Sequence, residues 1–165
     1  MRVFFSKVFF VVCLMFAGAG CVTEPAMKLY GARVAYATPA GVGLNMTMKV
    51  ENDNAFDIQL RSVAANVTLA DRYRLPTVYA SPNIWLQAGR ATLVQVPVLI
   101  PWALVAPLTA ATVGSSTVSY RVLGRADVTA TRAFEIDFDA YKVDQEGKFS
   151  RVDLVMAGAR GIFSP

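Results

Sequence analysis

The sequence predicts a mainly β chain, an antiparallel β-sandwich of six or seven strands with one short helix. Three observations predict it. Val42, Leu44, Met46, Met48 and Val50 alternate with Gly43, Asn45, Thr47, Lys49 and Glu51. Such a two-residue period belongs to a strand with one dry and one wet face. The period returns at Thr92, Val94, Val96, Val98 and Ile100, and at Phe134, Ile136, Phe138 and Ala140, with turn residues between. Finally, the chain is rich in Val, Ala, Leu and Thr, which suits strands.

Taken in order, the first strand ends at the turn Asn52-Asp53-Asn54. Alternation resumes at Phe56, Ile58 and Leu60, then changes phase to Val63, Ala65, Val67 and Leu69. A change of phase would turn the apolar side outward unless a bulge or bend near Arg61-Ser62 absorbs it. Tyr73 and Leu75 begin a short strand, and Pro76 suggests an edge. Pro97 removes one ladder donor, which predicts a free edge or a bulge in the Thr92–Ile100 strand. Trp102, Val105, Leu108 and Ala111 recur at helical spacing, with Gly114 as a stop. Because Pro107 is tolerated only near a helix start, this helix is expected to be short or to begin late. Val118, Tyr120 and Val122 alternate up to Gly124, and Ala126 and Val128 continue the strand. In the last alternating strand, Phe134 to Ala140, Glu135, Asp137 and Asp139 are expected to face outward. Residues 144–165 fit either a further strand or a cap on the core through Val152, Leu154 and Met156. The sum is a sandwich of immunoglobulin or fibronectin type.

The first twenty residues read differently. Met1-Arg2 and Lys7 precede the apolar run Val8–Phe16, and Ala17-Gly18-Ala19-Gly20 leads to Cys21. A charged start, a short apolar stretch and small residues form an export signal. The run is shorter than the roughly 20 apolar residues a membrane span requires. Gly18-Ala19-Gly20-Cys21 resembles the lipobox of bacterial lipoproteins. That resemblance implies cleavage before Cys21, acylation of Cys21 and, with Val22 next, the outer membrane, the domain facing the periplasm. Ala17-Gly18-Ala19 also fits an ordinary cleavage site, which would give a secreted or periplasmic soluble protein. The expected organisation is a signal peptide at 1–20, a tether at 21–28, the sandwich at 29–142 and a C-terminal extension at 143–165.

Removing residues 1–20 leaves 145 of the 165 residues, one domain large enough to fold without staples. Cys13 leaves with the signal, and Cys21 then has no partner for a disulfide within the mature chain. The formal charge of +4 includes Arg2 and Lys7, so the mature domain is near +2. Its basic residues are scattered, and no nucleic-acid surface is indicated.

Chemistry is sparse. The chain has no histidine, which removes the commonest general base and metal ligand. Phosphate-loop and G-x-S-x-G spacings are missing as well. The remaining acidic candidates are Asp137, Asp139, Asp144 and Glu146, where outward alternation on a strand accounts for the pattern better than calcium, which needs six to eight oxygens. Asn52-Asp53-Asn54 would hold a ligand less readily than it makes a turn. Solvated strand edges explain Arg72, Arg74 and Arg90, and Trp85 and Trp102 suit core or cap positions. No catalytic, metal or cofactor-binding residue is assigned.

Glu51-Asn52-Asp53-Asn54 at the end of an alternating strand resembles the N-P-N turn of the LEA-14-like group, the type 2 late-embryogenesis-abundant or WHy domain. Asp53 stands where that turn usually has Pro. Phe56-Asp57-Ile58-Gln59-Leu60, the strand Leu93–Ile100 closed by Pro101, and a short helix follow in the family's order. Tyr120-Arg121-Val122-Leu123-Gly124 is similar to its Y-x-l-x-G strand, and Phe134-Glu135-Ile136-Asp137-Phe138 to its closing strand. The resemblance covers about residues 29–142. It implies a non-enzymatic sandwich associated with desiccation and other stress, with Asn52, Asn54, Tyr120 and Gly124 as structural positions. The expected role is protective or interactive, toward client proteins or envelope surfaces. A lipid-binding module using the apolar faces of Val42–Val50 and Thr92–Ile100, or an accessory subunit of an envelope complex, are the alternatives.

Overall fold

The computed structural model describes residues 23–130 and 136–163, with side chains for all of these except 136–140 and 161–163. Nine strands and two helices occur among them. They are β1 (Ala26–Thr38), β2 (Gly41–Asn52), β3 (Ile58–Leu69), β4 (Tyr73–Arg74), β5 (Val78–Ala80), β6 (Ile84–Leu86), β7 (Arg90–Pro101), α1 (Trp102–Ala111), β8 (Thr117–Ala130), β9 (Ile136–Ser150) and α2 (Arg151–Phe163). One antiparallel sheet has the order β1-β2-β7. In the other, β3 pairs β8 on one side, β8 pairs β9, and β4, β5 and β6 share the second edge of β3.

The two sheets stack on their apolar faces, giving the expected sandwich. Val42, Leu44, Met46, Met48 and Val50 of β2 are all buried, as are Val94, Val96, Val98 and Ile100 of β7. They meet Ile58, Leu60, Val63, Ala65, Val67 and Leu69 of β3 and Val118, Tyr120, Val122, Ala126 and Val128 of β8. The phase change in β3 is absorbed as expected. Its register against β8 slips between Leu60 and Ser62, so both apolar sets point inward. Ser62 Oγ donates to Asp127 Oδ2 at 2.7 Å at that irregularity. Pro97 lies exposed on β7, which among the described residues is an edge strand paired with β2.

Nine strands replace six or seven because the far edge of β3 is covered in short pieces. Pro76 separates β4 from β5 and Pro82 separates β5 from β6, and proline cannot donate to a ladder. Strand β1, to which the sequence reading assigns no strand, pairs with β2 from Gly41 to Glu51. Its register shifts twice, between Leu29 and Gly31 and between Val34 and Tyr36, and each shift resets the alternation. A pattern broken every few residues leaves no readable period.

Three boundaries need correction. Residues 23–28, expected to be tether, belong to the fold: Thr23 is hydrogen-bonded, Pro25 is buried and β1 starts at Ala26. The β9 strand runs past 142 to Ser150, crossing the expected start of the C-terminal extension. Beyond it, the ambiguous residues form α2. Leu154 and Ala157 are buried while Val152, Val155 and Met156 are exposed, a three-residue spacing that caps the core. Helix α1 begins at Trp102 and carries Pro107 inside rather than at its start. The missing N–H of Pro107 leaves the Ala103 carbonyl on the solvent face, where both residues are exposed, while Val105 and Leu108 face the core. The expected alternation of Phe134, Ile136, Phe138 and Ala140, and of Glu135, Asp137 and Asp139, falls outside the described side chains.

Candidate functional site

Asn52 ends β2 and is fully buried. Its Nδ2 donates to the Phe56 carbonyl at 2.9 Å and to the Leu86 carbonyl at 3.0 Å. Its Oδ1 accepts from the Asn54 backbone N–H and from Asn54 Nδ2, each at 3.1 Å. Asn54 in turn holds Thr23 by both peptide groups. Thr23 N–H donates to Asn54 Oδ1 and Asn54 Nδ2 donates to the Thr23 carbonyl, each at 2.7 Å. A side-chain amide thus takes the place of a neighbouring strand. The Asn54 carbonyl accepts from Gly89 N–H at 3.2 Å, and Asp57 Oδ1 accepts from Ala88 N–H at 3.1 Å. One asparagine pair therefore ties the N-terminal segment, the β2–β3 turn and the β6–β7 turn together. Both donor hydrogens of each amide are engaged within the chain, so the turn is occupied in holding backbone rather than a ligand.

Asp53, at the position of the family's proline, is exposed between the two buried amides. The turn's hydrogen bonds come from the residues on either side of it, so aspartate serves there. Gly124 has a different structural cause. A Cβ on it would stand 2.5 Å from the Ala64 carbonyl oxygen and 3.1 Å from Ala65 Cα, so β3 and β8 approach too closely for a side chain. Tyr120 packs its ring 6.1 Å from that of Phe149, and a Cβ on Gly147, its cross-strand partner, would lie 2.5 Å from the hydroxyl. The Tyr120 hydroxyl is buried with no hydrogen-bond partner, and burial pushes its pKa up to about 12.

Of the acidic candidates, Asp144 and Glu146 are described, and both face Arg121. Asp144 accepts from Arg121 Nε at 3.1 Å and Nη2 at 2.8 Å, and Glu146 stands 3.7 Å from Arg121 Nη1. The hydrogen bonds from Arg121 hold the Asp144 carboxyl below its ordinary range. This is a cross-strand charge ladder on an exposed sheet face. Within β2, Lys49 Nζ donates to Glu51 Oε1 at 2.5 Å, two residues along the same face, and that hydrogen bond lowers the Glu51 pKa. Arg72 lies over the Tyr73 ring at 5.8 Å, and Arg74 and Arg90 are exposed. Trp102 donates Nε1–H to the Thr38 carbonyl at 2.9 Å, closing the end of the β1–β2 hairpin as a cap.

The apolar faces of Val42–Val50 and Thr92–Ile100 are core. The gap left between the sheets, lined by Met46, Met48, Val96 and Val98 among others, measures about 10 Å³, room for a single water. The larger space lies elsewhere. A groove of about 760 Å³ runs between β1 and α2, walled by Val34, Tyr36, Pro39, Asp153, Met156 and Arg160. The Tyr36 ring lies across Gly43, in direct contact with the position a Cβ would take. Sequence reading missed the groove because it needed both β1 and α2. Leu154, Ala157 and Gly158 at helical spacing were the available signal.

Among the described residues no helix is long and apolar enough to cross a membrane. Cys21 lies outside the described residues, two positions before Thr23.

With this geometry in hand, known structures place the fold. The solution structure of the Arabidopsis thaliana protein AT1g01470 superposes with a TM-score of 0.59 at 14% identity, covering 80% of this chain and 87% of that one. That of At2g46140.1, described as a late embryogenesis abundant (LEA) protein, gives 0.54 at 16% identity, covering 87% and 82%. A crystal structure of a protein from Archaeoglobus fulgidus gives 0.52 at 11% identity, covering 77% and 97%. No protein-family model matches the chain, and no curated protein sequence does. At these identities the likeness shows the fold alone: this is an antiparallel β-sandwich of the kind these proteins share, the fold class the sequence predicted.

Proposed function

We propose that this protein is a non-enzymatic lipoprotein of the bacterial envelope, its LEA-like sandwich held at the outer membrane by acylated Cys21 and facing the periplasm. Its role is protective or interactive during water stress, toward client proteins or envelope surfaces. The observation that carries the reading is the sharing of this sandwich with a protein described as late embryogenesis abundant. The motif residues agree with it. Asn52 and Asn54 hold backbone, Gly124 permits close strand packing, and the sequence supplies no histidine for acid–base work. Two measurements test it. Labelled fatty acid should enter the wild-type chain and not the Cys21→Ser variant; label in neither would leave cleavage after Ala19 and a soluble protein. Cells lacking the chain should lose viability on drying, and unchanged survival would remove the protective role.

A second reading, binding of an amphiphile, is favoured by the groove between β1 and α2. Its volume lies within the range of small-ligand sites, and it combines Tyr36 and Met156 with the cation Arg160. Native mass spectrometry should then find an acyl-chain ligand whose occupancy falls in Arg160→Glu. A ligand-free wild-type spectrum would remove this reading.

A further inference from the structure

The asparagine clamp fixes how far the domain can stand from its anchor. Asn54 is nine-tenths buried and itself bonded to buried Asn52, and it holds both peptide groups of Thr23. Pro25 is buried, Met27 packs on the core and Ala26 pairs with Glu51 in the β1–β2 ladder. From Thr23 onward the chain is part of the sandwich. Only Val22 lies between Thr23 and Cys21, and two residues reach at most about 7 Å.

We infer that the sandwich rests end-on against the phospholipid headgroup surface, with the 52–57 and 87–89 turns as its contact face. This rests on the lipoprotein reading above. The two turns share that end, because Gly89 and Ala88 bond to Asn54 and Asp57. The opposite end is the β1–β2 hairpin at Thr38–Gly41, separated from Asn52 by the twelve residues of β2. At about 3.3 Å per residue that is roughly 40 Å. Exposed Asp53 and Glu24 keep the contact at headgroup depth, since burying an unpaired carboxylate in the acyl layer is costly. The groove beside Tyr36 and Pro39 then opens at the far end, toward the periplasm.

The test uses the full chain produced in bacteria, reconstituted in phosphatidylethanolamine–phosphatidylglycerol vesicles containing a headgroup-linked quencher. Acylated Cys21 leaves no free thiol in the mature chain, so D53C and A40C each carry one fluorophore. Both positions are exposed. D53C should be quenched several-fold more strongly than A40C. Equal quenching, or stronger quenching of A40C, in a chain shown by mass to be acylated overturns the end-on arrangement alone. An unacylated mass overturns the lipoprotein reading and this inference with it. Inserting ten Gly/Ser residues between Val22 and Thr23 adds a flexible reach of roughly 18 Å and should level the two signals. A contrast that survives the insertion would show that the short link does not set the orientation.

Discussion

Asn52 carries the sharpest prediction. Asn52→Ala removes four hydrogen bonds at once and takes the side-chain partner from the Leu86 carbonyl and the Asn54 N–H, both in buried contacts. Each orphaned buried group costs about 1–3 kcal/mol. The Phe56 carbonyl is only partly buried and regains water, so the loss centres on roughly 4 kcal/mol. Against a domain stability of about 5–15 kcal/mol, that is a large fraction. The assay is urea unfolding of the purified protein, followed by the fluorescence of Trp85 and Trp102. With a slope of about 2 kcal/mol per molar urea, the midpoint should fall by about 2 M. Asn52→Asp is the informative companion. It keeps the shape and the accepting oxygen, but turns a double donor into an acceptor facing the Phe56 and Leu86 carbonyls. At neutral pH it should be at least as destabilised as the alanine variant. Its folded-state pKa must be raised, so its deficit should shrink as the carboxyl protonates and regains a donor. If both variants unfold within about 1 kcal/mol of wild type, the knot does not hold this end of the sandwich.

Gly124→Ala should cost about 1–3 kcal/mol in the same titration, because the Ala64 carbonyl and Ala65 Cα leave a Cβ no room; a neutral result would mean that β3 and β8 separate freely. Tyr120→Phe should be neutral or stabilising, since it deletes a buried hydroxyl with no partner. The wild type should also lose stability between the ordinary tyrosine pKa near 10 and the folded value of about 12, as the unfolded chain releases its proton first. That contribution is intact below pH 10, and its alkaline decline should be weaker in Tyr120→Phe; identical alkaline melting curves would refute it. Leu154→Ala should cost about 2–4 kcal/mol and Val152→Ala under about 0.5 kcal/mol, because the helix buries the first and exposes the second. Equal losses would contradict a helical cap.

The legible strands were those with an unbroken period. From β2 and β7 the alternation alone identifies the dry face, and in β3 the phase change at Arg61-Ser62 located an irregularity that the register contains. Pro97 marked its strand as an edge. The illegible parts are equally physical. Two register shifts erase the period of β1, and β4, β5 and β6 are too short to show one. Val152, Leu154 and Met156 happen to alternate, which hid the helix that buries Leu154 with Ala157. At the site, the motif positions Asn52, Asn54, Tyr120 and Gly124 were found from the sequence, but their work was not. Thr23 lies 31 residues from Asn54, and no local pattern announces that pair.

The sequence by itself determined the class of fold and the dry faces of its longest strands, since each depends on residue type and short-range spacing. Only the tertiary structure decided that Thr23 is held rather than free, that the space between the sheets is filled, and that the open groove lies between β1 and α2. Those outcomes depend on groups brought together from distant parts of the chain. A side-chain amide can stand in for a strand only where the fold delivers it.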